Sequence, residues 1–432
     1  MSLKKEVLLG LKWTSIATVC MAIVGILKIS ILTRFLDKSD FGLMALIMFV
    51  LGFMNLFSDM GLSTAILHKQ NITKKVYASL YWLNILFCSF LYFLLWLITP
   101  FVSKLYDQPE LNTLIPLVGF VIVFSALGTQ FKTIEIKNLN FKYISLIDII
   151  AGILSLVVAV FLAINDYGIL SLIYSVLLQS FVSNLLYFLL GLKKYGLLFS
   201  LNLKDTIPYL KIGVYQVGGQ IVNYFNRDLD ILLIAKFFST EILGGYSLAK
   251  QLVFRPAQLI NPILVKVASP TLAMFQNNLE LLSSRYLKLI NIVASINLPI
   301  YGLIIIFAPF VIEIMYGPGF EDIVSLVRVL SLYMIFRAIG NPIGSLVVAT
   351  GKTHLEFIWN VLNLLLIPLA VYIGAQFDII WVAISLLITS VLLFVPSWKL
   401  LVNKMTGASL LDYVLAIIKL DFNFKKLYHL KE

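Results

Sequence analysis

The sequence predicts an all-α polytopic membrane protein with about 12 transmembrane helices, and three observations support this fold class. Apolar residues make up 60% of the 432 residues and charged residues only 13%, against about 45–50% and about 25% in a soluble domain. Twelve apolar windows are long enough to cross a bilayer. The loops between them are too short to hold a soluble domain. A cytosolic enzyme, a secreted disulfide scaffold and a disordered chain are therefore excluded.

Each window approaches or exceeds the roughly 20 apolar residues that a helix needs to cross the hydrocarbon core. In chain order they are 13–33, 41–66, 78–103, 114–132, 144–163, 168–190, 209–235, 244–268, 286–310, 323–349, 354–374 and 378–402. A basic tail follows from residue 403. Its one apolar stretch, Leu410 to Leu420, is too short to span a membrane and is expected to lie on the membrane surface.

The distribution of Lys and Arg predicts that both termini are cytoplasmic. If the spans alternate in direction, 23 of the 33 basic residues fall on the side of the N-terminus, with the loops around Lys74 and Lys204 and the tail. Only four, Arg34, Lys38, Lys104 and Lys236, fall on the opposite side. Positively charged loops are retained on the cytoplasmic side of a membrane. The net charge of +11 is thus explained by topology, and no nucleic-acid partner is expected.

An internal repeat divides the chain into two halves. A shift of 202 residues lays Leu27–Gly42 over Leu229–Gly244. In both stretches an apolar run contains one charged residue and ends in a basic residue, which is followed by two large apolar residues and a polar turn before Gly. Six spans in each repeat give both halves one orientation. We therefore expect a six-helix lobe at residues 1–205, a second at 206–402 and the tail at 403–432, with the lobes around a central cationic cavity.

Charged and amide side chains inside the spans mark the candidate site. Gln216, Gln220, Asn223, Arg227 and Asp230 recur at spacings of 4 and 3 in span 7 and so share one helix face. An intramembrane charge costs at least about 2.5 kcal/mol, so such a face meets either a polar cavity or other helices through hydrogen bonds. The cavity interpretation assigns substrate binding to Lys28, Arg227, Lys250, Arg255, Arg337, Gln216, Gln220, Asn223 and Asn341.

Such a cavity favours a polar anion as substrate. The guanidinium group of Arg binds phosphate oxygens through two parallel hydrogen bonds, and amides match the hydroxyls of a sugar. Asp59 and Asp230 are the candidates for coupling transport to a cation. For Asp59 two interpretations stand side by side, a titratable or cation-binding carboxylate and a salt-bridge partner of Lys28.

Sequence motifs give no support for catalysis or a bound cofactor. Gly351-Lys352-Thr353 resembles the end of a phosphate-binding loop, but Leu346 stands where that loop requires Gly. The three histidines are scattered and give no metal-ligand spacing. No nucleophile and base are placed together. We expect neither an enzyme nor a metal site, and coupling to a proton or a sodium ion stays open.

Three stretches carry a family resemblance. The segments Ile31–Ala45, Phe57–Ile66 and Asn226–Ala249 resemble the polysaccharide-transport branch of the MOP flippase superfamily. The resemblance implies two six-helix lobes of the MATE type and alternating access. It also implies a bacterial cytoplasmic-membrane protein that exports undecaprenyl-pyrophosphate-linked oligosaccharide repeat units for O-antigen, colanic-acid or capsule synthesis. Membrane lipids and the polymerase and export machinery of the same pathway are the implied partners.

Two other transport functions fit the same fold. A lipid II-type flippase for peptidoglycan precursors shares the pyrophosphate and the carrier lipid, so the sequence separates it poorly. A cation-coupled small-molecule antiporter is expected to have an acidic cavity, which the basic residues oppose. A membrane glycosyltransferase, polymerase or ligase is expected to carry a large outer loop, and the loops here are short.

Overall fold

The computed structural model describes residues 3–69 and 71–421, and every regular element in them is helical. The first eight helices are α1 (Leu3–Leu32), α2 (Lys38–Ser58), α3 (Leu62–His68), α4 (Lys74–Leu105), α5 (Leu111–Lys137), α6 (Phe141–Ile164), α7 (Ile169–Tyr195) and α8 (Leu203–Phe237). The remaining helices are α9 (Thr240–Ala273), α10 (Leu279–Ile306), α11 (Ala308–Tyr316), α12 (Val324–Gly340), α13 (Ile343–Thr350), α14 (Thr353–Ala375), α15 (Ile379–Ser397), α16 (Lys404–Thr406) and α17 (Leu410–Ile418). A 3₁₀ turn (Glu321–Ile323) precedes α12, and a π-helical turn (Trp398–Asn403) follows α15.

Ten helical segments in the described part of the chain are long and apolar enough to cross a membrane. Three of them join neighbouring elements, at Lys38–His68, Glu321–Thr350 and Ile379–Thr406. The helices α8 and α9, with 35 and 34 residues, are also long enough but are not among the ten. They carry the polar residues of predicted spans 7 and 8. The all-α membrane fold with about 12 spanning helices is confirmed, and α8, one of its two least apolar long helices, carries the predicted stripe.

The chain forms two compact units, one of Met1–Gly244 with Met315–Gly317 and one of Gly245–Ile314 with Pro318–Glu432. In the first unit, α1 packs against α6, while α5 packs against α4 and α7. Helix α8 packs against α2, α3 and α4 of the same unit. The boundary between the two predicted six-helix lobes, at residues 205 and 206, stays a prediction.

A break separates α2 from α3 inside one membrane-spanning segment. Met60 and Gly61 have left-handed backbone conformations, with φ of 47° and 68°. An added Cβ at Gly61 would lie 2.3 Å from the Cα of Gly213 in α8, and one at Gly213 would lie 1.8 Å from the Met60 carbonyl oxygen. The backbones of the break and of α8 are therefore too close for any side chain to fit between them at these two glycines. This contact holds Met60 and Gly61 in the left-handed conformation.

Helices α2 and α9 cross at two glycines that the 202-residue shift makes equivalent. An added Cβ at Gly42 would lie 1.9 Å from the carbonyl oxygen of Thr240, and one at Gly244 would lie 1.8 Å from that of Lys38. Each Cβ would also lie 3.0 Å from the amide nitrogen of the other glycine. Positions 38 and 240 are equivalent under the same shift. The crossing therefore has local twofold symmetry, which agrees with the repeat.

The second unit packs around α10. Helix α10 contacts α12 and α17, and α15 contacts α12 and α14. The predicted surface stretch of the tail forms α17, which buries Tyr413 against Phe394 (ring centroids 5.6 Å apart) and exposes Leu411 and Ile418. Its placement on the membrane surface stays a prediction. The end of the tail lies outside the described residues.

Candidate functional site

The predicted stripe on α8 has an exposed middle and a buried end. Gln220, Asn223 and Arg227 are exposed, whereas Asp230 is buried and accepts a hydrogen bond from the Ile231 amide at 3.0 Å. The side chain of Gln216 lies outside the described residues. The three exposed residues, Gln220, Asn223 and Arg227, follow the spacing of 3 and 4 residues of the predicted polar face.

Arg227 is positioned by neighbours on its own helix, one of which is anchored to α2. Its Nε donates to Asp228 Oδ2 at 2.7 Å, and its guanidinium carbon lies 5.6 Å from the centre of the Tyr224 ring. Tyr224 in turn donates from its hydroxyl to the Phe49 carbonyl of α2 at 2.6 Å. The Arg227 side chain remains 53% exposed. Packing against α2 thus orients a cation that is still accessible to a ligand.

Lys28 and Asp59 are placed with different partners. The Lys28 ammonium on α1 donates to Ser155 Oγ on α6 at 3.0 Å. The Asp59 carboxylate accepts from the Ser63 amide at 3.0 Å and the Ser63 hydroxyl at 2.9 Å. Ser63 Oγ also lies 2.7 Å from Thr133 Oγ1 on α5. Within the described residues, the structure does not contain a Lys28–Asp59 salt bridge.

In the second unit, two predicted cations meet at one aromatic ring. Lys250 Nζ on α9 lies 5.4 Å from the centre of the Phe254 ring, and the Arg337 guanidinium on α12 lies 5.3 Å from it. Arg337 Nη1 also donates to the Tyr333 hydroxyl at 2.5 Å. A ring face attracts cations through its quadrupole and does not neutralise their charge. The ring therefore brings together two positive groups, one of which, Lys250, is only 7% exposed.

Arg255 and Asn341 complete the predicted set in this unit. Arg255 is partly exposed one residue after Phe254. Asn341 is exposed and caps the C-terminus of α12, one turn beyond Arg337. It lines a small cavity with Asn261 and Ser345. The structure thus places Arg337 and Asn341 at the end of one helix.

Sequence reasoning missed the aromatic residues that hold the cations. Phe254 follows Lys250 by four residues, Tyr333 precedes Arg337 by four, and Tyr224 precedes Arg227 by three. Side chains at these spacings are neighbours on a helix. The signal was therefore present in the sequence as cation–aromatic pairs.

It also missed a buried acid in the first unit. Glu135 is 1% exposed, pairs with Lys194 Nζ at 3.0 Å and accepts from the Tyr195 hydroxyl at 2.8 Å. A second pair joins Lys132 and Asp148 at 3.1 Å. Each acid lies opposite a base from another helix. In each pair the basic side chain neutralises the acid, near the predicted cytoplasmic side. The role of both pairs is therefore structural.

The arrangement suits binding of an anion rather than a metal. In the described residues, no group of three or more His, Cys, Asp or Glu side chains is placed to hold a metal ion. Oriented guanidinium and ammonium groups, with exposed amides nearby, are donors that phosphate and sugar oxygens accept.

A profile described as polysaccharide biosynthesis protein matches residues 31–325. The teichuronic acid biosynthesis protein TuaB of Bacillus subtilis (strain 168) is 30% identical over 421 residues, which cover 96% of this chain and 84% of that protein. The lipopolysaccharide biosynthesis protein WzxC of Escherichia coli (strain K12) is 29% identical over 421 residues, which cover 96% of this chain and 85% of that protein.

Solved structures share the fold at low sequence identity. The lipid II flippase MurJ in an inward closed conformation superposes with a TM-score of 0.71 at 17% identity, covering 96% of this chain and 95% of that one. An inward-facing multidrug resistance MATE family transporter of the MOP superfamily gives a TM-score of 0.67 at 15% identity, covering 90% and 96%. These similarities confirm the MOP-type fold.

Proposed function

The chain belongs to the polysaccharide biosynthesis protein family, and from this premise we propose that it is a lipid-linked oligosaccharide flippase. It moves undecaprenyl-pyrophosphate-linked repeat units from the cytoplasmic to the outer leaflet of the bacterial cytoplasmic membrane by alternating access. Its relatives are described as biosynthesis proteins for lipopolysaccharide, teichuronic acid and amylovoran. In this proposal the protein acts as a transporter and not as an enzyme, and its partners are membrane lipids and the polymerase and export machinery of the same pathway.

The observation that carries this proposal is the composition of α8 and α9. Both are long enough to span a membrane, yet they are too polar to be counted among the ten apolar spans. Polar faces at membrane depth belong next to water or a polar ligand. The Lys250–Phe254–Arg337 cluster adds oriented cations, and a pyrophosphate is the anionic part of the proposed substrate.

Repeated transport in one direction requires an energy source. The sequence holds no nucleotide-binding motif, whereas the membrane potential supplies about 2.3 kcal/mol per elementary charge per 100 mV. Coupling to a proton or sodium gradient therefore fits. Asp59 is the first candidate for the coupling carboxylate and Asp230 the second, because the Asp59 oxygens accept only from Ser63 among the described residues.

The proposal is tested by substituting the cations singly with Ala in the producing strain. Arg337→Ala, Lys250→Ala and Arg255→Ala should each abolish surface polysaccharide while the protein stays in the membrane. Removing one partner from a desolvated charged contact costs about 2–5 kcal/mol. Arg328→Ala is the matched control, since Arg328 is exposed and donates to the Ile305 carbonyl of a neighbouring helix. Normal export by all three variants would contradict the anion-binding role.

A second experiment separates this function from the lipid II alternative. Proteoliposomes that contain the purified protein are loaded with labelled lipid-linked oligosaccharide or with lipid II, and movement between leaflets is measured. We expect oligosaccharide to move and lipid II to move more slowly. Equal or faster movement of lipid II would favour the peptidoglycan function, and export of small cationic drugs alone would favour the antiporter.

A further inference from the structure

A small cavity in the second unit is lined by three polar side chains from different helices. They are Asn261 on α9, Asn341 at the C-cap of α12 and Ser345 in the first turn of α13. Apolar side chains of α9 and α10, among them Val265 and Leu289, complete the wall. The cavity has room for a group of the size of a water molecule. It therefore combines hydrogen-bonding groups with an apolar surface.

The polar groups of this cavity have no partner in the part of the chain that the structure describes. The Ser345 side chain is completely buried, at 0% exposure, and its hydroxyl makes no hydrogen bond there. The side chains of Asn261 and Asn341 make none either. A buried hydroxyl that stays unpaired is unusual and costs free energy. The cavity is therefore built for a ligand that forms hydrogen bonds.

A hydroxyl group is the ligand type that matches all three side chains. A carboxamide offers two donor hydrogens and an acceptor oxygen, and a hydroxyl offers one donor hydrogen and two acceptor lone pairs. One ligand hydroxyl can therefore accept from an amide and donate to an amide oxygen or to Ser345 Oγ. Among the described residues, no acid or base lines the cavity, so it does not select a charged group. The apolar wall suits the C–H groups of a sugar ring.

The cavity lies close to the predicted anion-binding residues along both helices. Asn341 follows Arg337 by four residues, which corresponds to about 6 Å along a helix axis. On α9, Asn261 follows Phe254 by seven residues and so lies on the same face two turns further on. Phe254 is the ring that Arg337 and Lys250 share. A ligand held by these cations therefore extends toward the cavity.

We propose that Asn261, Asn341 and Ser345 form a subsite for a hydroxyl group of the sugar that is bonded directly to the pyrophosphate. If the cations hold the pyrophosphate, this first sugar is the unit within reach of a cavity one helical turn away. The inference rests on the proposed function and adds to it a recognition of sugar that is separate from the recognition of charge. Ser345 and Asn261 become specificity-determining residues.

The test compares the binding of two kinds of lipid to the purified full-length protein in nanodiscs. One is undecaprenyl pyrophosphate, and the other carries a single glucose, galactose or N-acetylglucosamine on the same pyrophosphate. Wild type should bind at least one glycosylated lipid about tenfold more tightly than the bare lipid, because each hydrogen bond contributes a factor of about three to ten. Equal affinity for the bare and all glycosylated lipids would overturn the subsite and would leave water as the partner of these groups.

The variants separate the sugar subsite from the anion site. Ser345→Ala and Asn261→Leu should each lower the preference for the glycosylated lipid by about three- to tenfold, by weakening the binding of that lipid only. Arg337→Ala should weaken the binding of both lipids alike, because both carry the pyrophosphate. Asn341→Leu, with the same expected loss of preference, serves if Asn261→Leu fails to fold. An undiminished preference in the variants of the subsite would overturn it.

Ser331→Ala is the matched control. Ser331 on α12 is also 0% exposed, and its hydroxyl is also unpaired within the described residues, but it is not among the residues that line the cavity. Its loss should leave the preference unchanged. A loss of preference as large as that of Ser345→Ala would point to a general packing effect and would contradict the assignment.

Flipping in proteoliposomes separates this inference from the proposed function. Sugar-dependent binding by a protein that moves no lipid-linked oligosaccharide supports the subsite and contradicts the transport function. Movement of lipid-linked oligosaccharide by a protein without a sugar preference contradicts the subsite and supports the function.

Discussion

Replacing Gly42 with Ala should separate the crossing of α2 and α9. The new Cβ would lie 1.9 Å from the Thr240 carbonyl oxygen, so the two backbones must move apart by about 1.5 Å to reach an ordinary contact of 3.4 Å. The obstructing atoms belong to a helix backbone and not to a flexible side chain. Overpacking of this kind costs about 1–3 kcal/mol, and we expect the upper end of that range.

A smaller opposing effect has to be subtracted. Ala is favoured over Gly inside a helix by about 1 kcal/mol. The expected net destabilisation for Gly42→Ala is therefore about 2 kcal/mol, which a lower melting temperature in detergent would report. Gly302→Ala in α10 is the control, because nothing lies within 4 Å of its added Cβ. That variant should be neutral or slightly stabilised.

The symmetry of the crossing makes a sharper prediction for the double variant. Gly244→Ala forces the same two backbones apart, since its Cβ would lie 1.8 Å from the Lys38 carbonyl oxygen. One displacement accommodates both methyl groups, so the double variant should be less destabilised than the sum of the single ones, with a coupling of about 0.5–3 kcal/mol. Strict additivity, or a neutral Gly42→Ala, would refute the close reciprocal contact.

Four further changes test other parts of the structure. Phe254→Leu should lower export while preserving membrane insertion, because it removes the ring shared by two cations, each contact being worth about 0.5–2 kcal/mol; unchanged export would contradict that role. Lys194→Met should destabilise by about 3–5 kcal/mol in detergent unfolding, since it leaves the buried Glu135 carboxylate without its cation. Tyr413→Ala should cost about 3–5 kcal/mol in the same assay if α17 is an integral part of the second unit. A cysteine at Asp107 should react with an impermeant thiol reagent only from outside the cell, and labelling from the cytoplasmic side would reverse the predicted topology.

The helical elements could be predicted from the sequence because membrane insertion depends on local composition. Every predicted window overlaps a helix of the structure, and even the polar stretch at 209–235 falls inside α8. Hydrophobicity over about 20 residues is sufficient for this purpose. The α2–α3 break was not predicted, because it depends on the contact of Gly61 with a glycine of α8 that is distant in sequence.

The partners of the site residues could not be predicted, because they come from other helices. The sequence identifies Lys28 as an intramembrane cation but cannot show that Ser155 accepts its hydrogen bond. In the same way, the sequence shows Lys250 and Arg337 only as two separate intramembrane cations. The structure shows that both lie beside the ring of Phe254. Their proposed role in binding an anion stays a prediction.

The acids show most clearly what packing adds to the sequence. In the sequence, Asp59, Asp148 and Glu356 are alike, since each is an acid in or beside an apolar run. The structure pairs Asp148 with Lys132 at 3.1 Å and places Glu356 in the first turn of α14, where the positive helix end favours an acid. Asp59 instead lies between two helices, at the C-cap of α2 with its carboxylate accepting the amide of Ser63 in the first turn of α3.

The energies separate these environments. An ion pair at 4 Å is worth about 4 kcal/mol at an effective dielectric constant of 20, and a helix end contributes about 0.3–1 kcal/mol of either sign. The Lys132–Asp148 pair is about one-third exposed, so Asp148 gains only part of the first term, and Glu356 has the favourable sign of the second. Asp59 accepts hydrogen bonds from the Ser63 amide, in the first turn of α3, and from the Ser63 hydroxyl, and has no ion pair among the described residues. Of these three acids, Asp59 is thus held by hydrogen bonds alone within the described residues, and its role in coupling an ion gradient to transport stays a prediction.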